Sequence, residues 1–270
     1  MSEYDIFKFR DKYKGVKSIA FVGNSSSVLS YENGKLIDSY DMVIRYNRAY
    51  TKGIEKNIGS KTTVLISNDI NGLKKSPSPS EVLQPEFVLA FSKPKSESML
   101  SELRQWIGDT PYLISLEPDL YNLGISKRTR SLSMGTYSLY TFLRLFDVEK
   151  IFLTGFTMFG IAPGGGEKYF ERWKNKGVGK FHDIDEEAVI FNQIIKQFMG
   201  KIEMSPEVEK LVGLYNKKVK SDLKNPIYIK LLLFLSKKLL HYGFVLRRKI
   251  ERSNTFNDNK SNRPKNHANL

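Results

Sequence analysis

The 270-residue chain contains no cysteine. Disulfides and thiolate metal sites are therefore excluded, and a reducing compartment is easily tolerated. It has only three histidines, His182, His241 and His267. No apolar run reaches the ~18–20 residues that a membrane-spanning helix needs. The opening stretch, MSEYDIFKFRDKYKG, is charged and has no apolar core, so no secretory leader is expected and the protein is expected to be cytoplasmic. Two glycine signatures are also missing. The first apolar run, Ile19 to Val22, ends in Gly23-Asn24-Ser25, which starts neither a Gly-x-Gly-x-x-Gly fingerprint nor a Walker loop.

Positive charge, by contrast, is abundant. The formal net charge is +14 and the pI about 9.6. Such a balance favours a polyanionic partner: nucleic acid, anionic lipid or a phosphorylated substrate. The excess is local. Residues 217–252 hold eleven Lys or Arg against two acids, Asp222 and Glu251, and the rest of the chain is nearly balanced. That distribution argues against a nucleic-acid-binding domain, and no aromatic-interleaved RNA motif is present. Within it, NPIYIKLLLFLSKKLLHYGFVLRRKIER (225–252) mixes large apolar residues with Lys and Arg and is too interrupted to cross a bilayer. It is expected to form an amphipathic helix on an anionic membrane surface, against the alternative of a helix packed on the core with a basic rim.

Apolar runs of strand length recur at 18–22, 42–46, 63–67, 87–91, 112–115 and 151–154, and a helical pattern fills 136–146. Strands alternating with helices predict an α/β fold with a mostly parallel, Rossmann-like sheet flanked by helices. Ligands of such sheets bind at the carboxyl ends of strands, where Gly23, Asn47, Asn68 and Gly155 fall. Residues 74–85 read as a Ser/Pro loop and 161–168 as a glycine-rich loop long enough to act as a lid. Three segments are expected: a catalytic domain over 1–205, a basic amphipathic helical segment over 206–252, and a polar, disordered tail over 253–270.

The run SIAFVGNSSSVL, then IDSYDMVIRYNRA, then IGSKTT is far more specific than any one turn. It resembles the large sialylmotif of the eukaryotic-type sialyltransferases, glycosyltransferase family 29. The fixed positions present are Gly23, Asn24, Ser25, Ile37, Asp38, Ser39, Asp41, Val43, Arg45, Asn47, Gly59, Ser60, Lys61, Thr62 and Thr63. The family's other motifs follow in order. The small motif corresponds to Ser133-Met134-Gly135 and Gly155-Phe156, with Met134 in place of Thr. The third corresponds to Lys168-Tyr169-Phe170-Glu171, with Lys168 in place of His, and the very small motif to His182 and Glu187. The resemblance runs from residue 18 to about 195.

The resemblance implies a GT-A variant fold and an inverting, metal-independent transfer of sialic acid from CMP-sialic acid to a glycan hydroxyl. It places Asn24, Ser25, Asn47, Ser133, Met134, Gly135, Gly155, Phe156, Lys168 and Tyr169 around the CMP moiety and makes His182 the general base. The chemistry is compatible. An asparagine offers donor and acceptor from one planar group, and a helix starting near Gly135 would aim its N-terminus at a phosphate. A histidine titrates near neutral pH and can take a proton from an attacking hydroxyl. Lys168 would stand by the leaving phosphate as a permanent cation or lie on a loop surface. Glu187, in the first turn of the following helix, is expected to support the fold or His182. Arg45, Asp38, Asp41 and Lys61 are expected to hold strand ends by buried ion pairing. Asp183-Ile184-Asp185 carries a rival reading as an Asp-x-Asp metal pair, but a donor with one phosphate needs no metal to bridge a diphosphate, and no cofactor is expected.

Animal members join the large and small motifs by a disulfide. The matching positions here, Ile19 and Val148, are apolar, and their packing would replace the bridge, each contributing ~1.5–3 kcal/mol if fully buried. This departure fits a bacterial enzyme peripheral on the inner face of the cytoplasmic membrane, acting on lipopolysaccharide, lipooligosaccharide or another surface glycan. The nearest alternative keeps the chemistry and uses CMP-Kdo. An alternative of another class is a non-catalytic binding protein that uses the basic segment.

Overall fold

The computed structural model describes residues 4–48, 50–67, 84–90, 97–114, 132–158 and 184–213. They lie in one compact unit drawn from Met1–Tyr121 and Arg128–Val219. Seven strands form a single sheet: β1 Ser18–Val22, β2 Met42–Tyr46, β3 Val64–Ser67, β4 Phe87–Ala90, β5 Tyr112–Ile114, β6 Lys150–Thr154 and β7 Ile202–Met204. Their order is β5-β4-β3-β2-β1-β6-β7, and every adjacent pair is parallel. The α/β architecture expected from the apolar runs is thus present, with six strands within a residue or two of expectation. The seventh, β7, is not expected from the sequence, because Glu203 interrupts Ile202 and Met204 and leaves no apolar run.

Both faces of the sheet are covered, which explains why its strands read as continuous apolar runs rather than alternating ones. Alternate side chains divide between two sides. Ile19, Phe21, Met42, Ile44, Val64, Ile66, Ile151 and Leu153 enter the larger cluster. There they meet Phe9 of α1 (Ile6–Lys12) and Tyr13, its C-cap, and Leu139, Phe142 and Leu143 of α5 (Met134–Leu145). Ala188, Phe191 and Ile195 of α6 (Ile184–Gln197), with Val208, Leu211 and Val212 of helical residues 206–213, complete that cluster. On the opposite side Ala20, Val22, Val43 and Phe152 pack on Val28, Ile37, Tyr40 and Ile58. Of these, Ile37 lies in α2 (Gly34–Asp38) and Ile58 in α3 (Glu55–Ile58), and α4 (Glu97–Ile107) covers Leu65 and Val88 with Leu103 and Ile107. Ile19 and Val148 are both buried in the larger cluster.

The charged residues of the large motif hydrogen-bond mainly to main chain. The Arg45 side chain is fully buried; its Nη2 donates to the Ile58 carbonyl at 2.6 Å and its Nε to the Lys61 carbonyl at 3.0 Å. Asp38 accepts from the N–H groups of Ser60 and Lys61, and the Lys61 ammonium donates to the Tyr40 carbonyl. Asp41 accepts from the N–H groups of Lys17 and Ser18, both at 2.9 Å. Desolvation alone would raise the Asp41 carboxyl, but these bonds, the Ser18 hydroxyl and the Lys61 charge outweigh it and hold it below its ordinary value. The expected ion pairing is therefore replaced by clamps on the loops that enter β1 and β3.

Candidate functional site

The strand order reverses direction at β1, which pairs with β2 on one side and with β6, more than a hundred residues later, on the other. Such a switch point opens a crevice beyond the carboxyl ends of its strands. Here the two strands end in glycines that touch. A Cβ on Gly23 would lie 2.2 Å from the Gly155 carbonyl oxygen, and one on Gly155 would lie 2.5 Å from that of Gly23. Gly155 also has φ +74°, a conformation that favours glycine. The Gly23 N–H donates to the Thr154 carbonyl at 2.8 Å, and the Ser25 N–H to the Gly155 carbonyl at 3.3 Å. The two chain reversals are therefore one hydrogen-bonded unit.

Asn24 stands on this unit. Its Nδ2 donates to the Tyr46 carbonyl at 3.0 Å, which fixes the amide across the ends of β1 and β2. Its Oδ1 is buried and has no hydrogen-bond partner. Asn47 follows that carbonyl in the left-handed region, φ 52°, with its N–H on the Ile66 carbonyl and its Oδ1 accepting from Ser67 at 3.4 Å. Ser25, also buried, caps the short 3-10 turn Ser26–Ser30 and accepts from the Ser27 N–H and hydroxyl.

The start of α5 closes the other side. Ser133 is its N-cap, and Glu187 of α6 reaches across with a buried carboxylate. That carboxylate accepts from the Ser133 N–H at 3.1 Å, from the Ser133 hydroxyl and from the Thr136 hydroxyl at 2.6 Å. Glu187 thus supports the fold as expected, by tying the very small motif to the small one. A negative group already occupies this helix end, so the Ser133 hydroxyl is spent internally. The N–H groups of Met134 and Gly135 are the next two of the first turn, which have no intrahelical acceptor. A Cβ on Gly135 would come within 2.8 Å of the Phe156 ring. That ring is 8% exposed, stacks on Phe191 at 5.9 Å and meets Tyr46 edge-on at 6.1 Å. Phe156 is a wall of the core beneath the site. The Tyr46 hydroxyl is bonded to Ser138 at 2.7 Å, and burial pushes its pKa upward.

Eight of the residues expected at the site are therefore brought together: Asn24, Ser25, Asn47, Ser133, Met134, Gly135, Gly155 and Phe156. Lys168, Tyr169 and His182 lie outside the described residues, as do 68–83, 161–168, Asp183 and everything from residue 214 onward. Among the described residues no three His, Asp or Glu side chains gather into a metal site, and no helix is long and apolar enough to cross a membrane. Sequence reasoning missed one participant. Glu207, 4% exposed, accepts from the Gly155 N–H at 2.9 Å. Ser205-Pro206-Glu207 announces a helix start but not which strand end that glutamate reaches.

What the strand ends offer chemically is one amide acceptor without a partner and backbone N–H donors at a helix start, held on two glycines packed against each other. This set suits a ligand that combines hydrogen-bond donors with one anionic group.

Residues 5–105 match the family described as glycosyltransferase family 29 (sialyltransferase). The beta-galactoside alpha-2,6-sialyltransferase 2 of Rattus norvegicus is 46% identical over 55 residues, 20% of this chain and 10% of that protein. The beta-1,6-galactosyltransferase GALT29A of Arabidopsis thaliana is 42% identical over 66 residues, 22% of this chain and 17% of that protein. The match therefore spans about a tenth of the length of the curated sialyltransferases. A crystal structure of a mammalian sialyltransferase is similar at 22% identity and a TM-score of 0.46, covering 70% of this chain and 69% of that one.

Proposed function

We propose that this chain, whose residues 5–105 match glycosyltransferase family 29, is a member of that family and transfers sialic acid from CMP-sialic acid to a hydroxyl of a glycan acceptor. The observation that carries the reading is the Asn24 amide: its Nδ2 is committed to the Tyr46 carbonyl, and its Oδ1 is a buried acceptor without a partner at the switch point of the sheet. A cytidine monophosphate brings amino and hydroxyl donors and a single phosphate. In this reading Asn24 and Asn47 hold the nucleoside side, and the N–H groups at Met134 and Gly135, with Tyr169 and Lys168, receive the phosphate. His182 takes the proton of the acceptor hydroxyl as its oxygen attacks the anomeric carbon. The bond to the phosphate oxygen breaks on the opposite face, so configuration inverts and CMP leaves. No metal takes part, because one phosphate needs no cation to bridge it.

The acceptor in this reading is a bacterial envelope glycan such as lipopolysaccharide or lipooligosaccharide. Residues 217–252, with eleven Lys or Arg, hold the enzyme at the inner face of the cytoplasmic membrane. A second donor deserves direct comparison, because one relative that shares the matched stretch is named a galactosyltransferase. The stretch alone does not dictate the sugar.

Purified protein incubated with CMP-sialic acid, CMP-Kdo or UDP-galactose, with nucleotide release followed in the presence and absence of EDTA, tests the reading. CMP release from CMP-sialic acid, unchanged by EDTA and reduced by about 10²-fold or more in His182→Ala, is expected. Release from CMP-Kdo alone moves the assignment to Kdo transfer. Release from none of the three sinks it, and loss of activity in EDTA sinks the metal-free mechanism.

A further inference from the structure

Glu207 is a buried glutamate that the reaction as described does not use and that no sialylmotif contains. It follows β7, the strand beside β6, and its carboxylate turns back over the end of β6. One oxygen, Oε1, takes three hydrogen bonds: from the Gly155 N–H at 2.9 Å, the Thr154 hydroxyl at 3.2 Å and the Ser205 hydroxyl at 2.5 Å. The other, Oε2, is buried and has no hydrogen-bond partner. Burying a carboxylate with one oxygen unpartnered costs free energy, which the three bonds to the other oxygen offset in part.

The group served is the Gly155 peptide. Gly155 adopts φ +74° in contact with Gly23, and its carbonyl accepts the Ser25 N–H. The Glu207 carboxylate holds the N–H side of this residue while Ser25 holds the carbonyl side. Hydrogen bonds to an ionised acceptor are roughly twice as strong as neutral ones, so the carboxylate is the firmer of the two holds. Tyr31, which follows the Ser26–Ser30 turn, feels the same charge: burial and then the Glu207 carboxylate raise its hydroxyl. Glu207 is thus placed over the same end of the sheet as Asn24 and Ser25.

We infer that Glu207 is a positioning residue of the nucleotide site, setting the Gly155 turn on which Asn24 and Ser25 rest. It has no part in bond making. The inference rests on the donor-site reading above and assigns that site a residue from beyond the four motifs.

The test compares wild type, Glu207→Gln, Glu207→Asp and Glu207→Ala in the full chain. CMP affinity is measured by calorimetry, well below each protein's melting temperature, alongside donor KM and kcat. Glu207→Gln keeps an amide oxygen for the Gly155 N–H and should bind CMP within about threefold of wild type. Glu207→Asp, a methylene shorter, and Glu207→Ala should weaken CMP binding about tenfold or more and raise donor KM in parallel, with kcat within about threefold. These fold-changes correspond to loss of one charge-assisted hydrogen bond. Thr154→Val removes another bond to the same oxygen but leaves Gly155 held, and should bind CMP like wild type. Should Glu207→Ala not fold, Glu207→Asp decides. A folded Glu207→Asp or Glu207→Ala that melts lower but binds CMP as wild type does would reduce Glu207 to a fold residue and overturn the inference. A wild type that binds no CMP overturns the donor-site reading and this inference with it, which separates the two failures.

Discussion

Asn24 illustrates how much a single side chain decides at this strand end. Its Nδ2 bond to the Tyr46 carbonyl fixes which atom is left without a partner, so the amide cannot flip without losing that bond. Asn24→Asp is nearly isosteric but removes the donor and sets a negative charge against both that carbonyl and an incoming phosphate. We expect Asn24→Asp to weaken CMP binding by well over tenfold and Asn24→Ala by about tenfold, the equivalent of ~1–1.5 kcal/mol; calorimetric titration with CMP measures both. Asp41 gives a different prediction. Its carboxyl is held below the ordinary 3.8, so the stability it contributes is fully present above pH 3.8 and is lost as pH falls through the lower folded value. Asp41→Asn should therefore lower stability at pH 6 and narrow its difference from wild type in acid melts below pH 4. At this scale the identities were legible in the sequence: Asn24, Asn47 and Gly155 were singled out by residue type and position. Their partners were not. The bonds of Arg45 and Asp38 to backbone groups of residues 58–61 depend on how a loop folds back, which no local pattern encodes.

Among the elements, the approach of β1 and β6 at Gly23 and Gly155 leaves no room for a side chain. Alanine at Gly155 would need φ +74° and would set its Cβ 2.5 Å from a carbonyl oxygen. We expect Gly155→Ala to cost ~2–4 kcal/mol, from the strained backbone plus the clash, and to abolish CMP binding at temperatures where the protein still folds. Urea melts and a CMP titration give the two numbers. The cap of α5 should be milder: Ser133→Ala removes a capping hydroxyl and one bond to Glu187, for ~1–2 kcal/mol in the same melts. Long elements were legible because burial on two faces leaves unbroken apolar runs, as in β1 and β6. The short ones were not. The helices α2 and α3 have five and four residues, too few to show a 3.6-residue period, and β7 is placed by its pairing with β6 rather than by its composition.

For the whole molecule, the uneven charge suggests division of labour. Truncation of 217–270 should abolish binding to vesicles rich in anionic lipid while CMP affinity stays within about threefold of the full chain. Cosedimentation with vesicles of neutral and anionic composition checks it, and a full chain that ignores anionic vesicles would remove the membrane role. The site itself is assembled from distant parts of the chain. β1 completes its hydrogen bonds only with β6, so Ser18 must find Lys150 and Val22 must find Thr154. A ribosome will have made the whole family-matched stretch, residues 5–105, before that partner strand emerges. Until then β1 is an open edge, ready to pair with a neighbouring nascent chain. The most recognisable part of this sequence is therefore its most vulnerable during synthesis. A fragment that stops at residue 105 should aggregate, even though it carries the whole family-matched stretch.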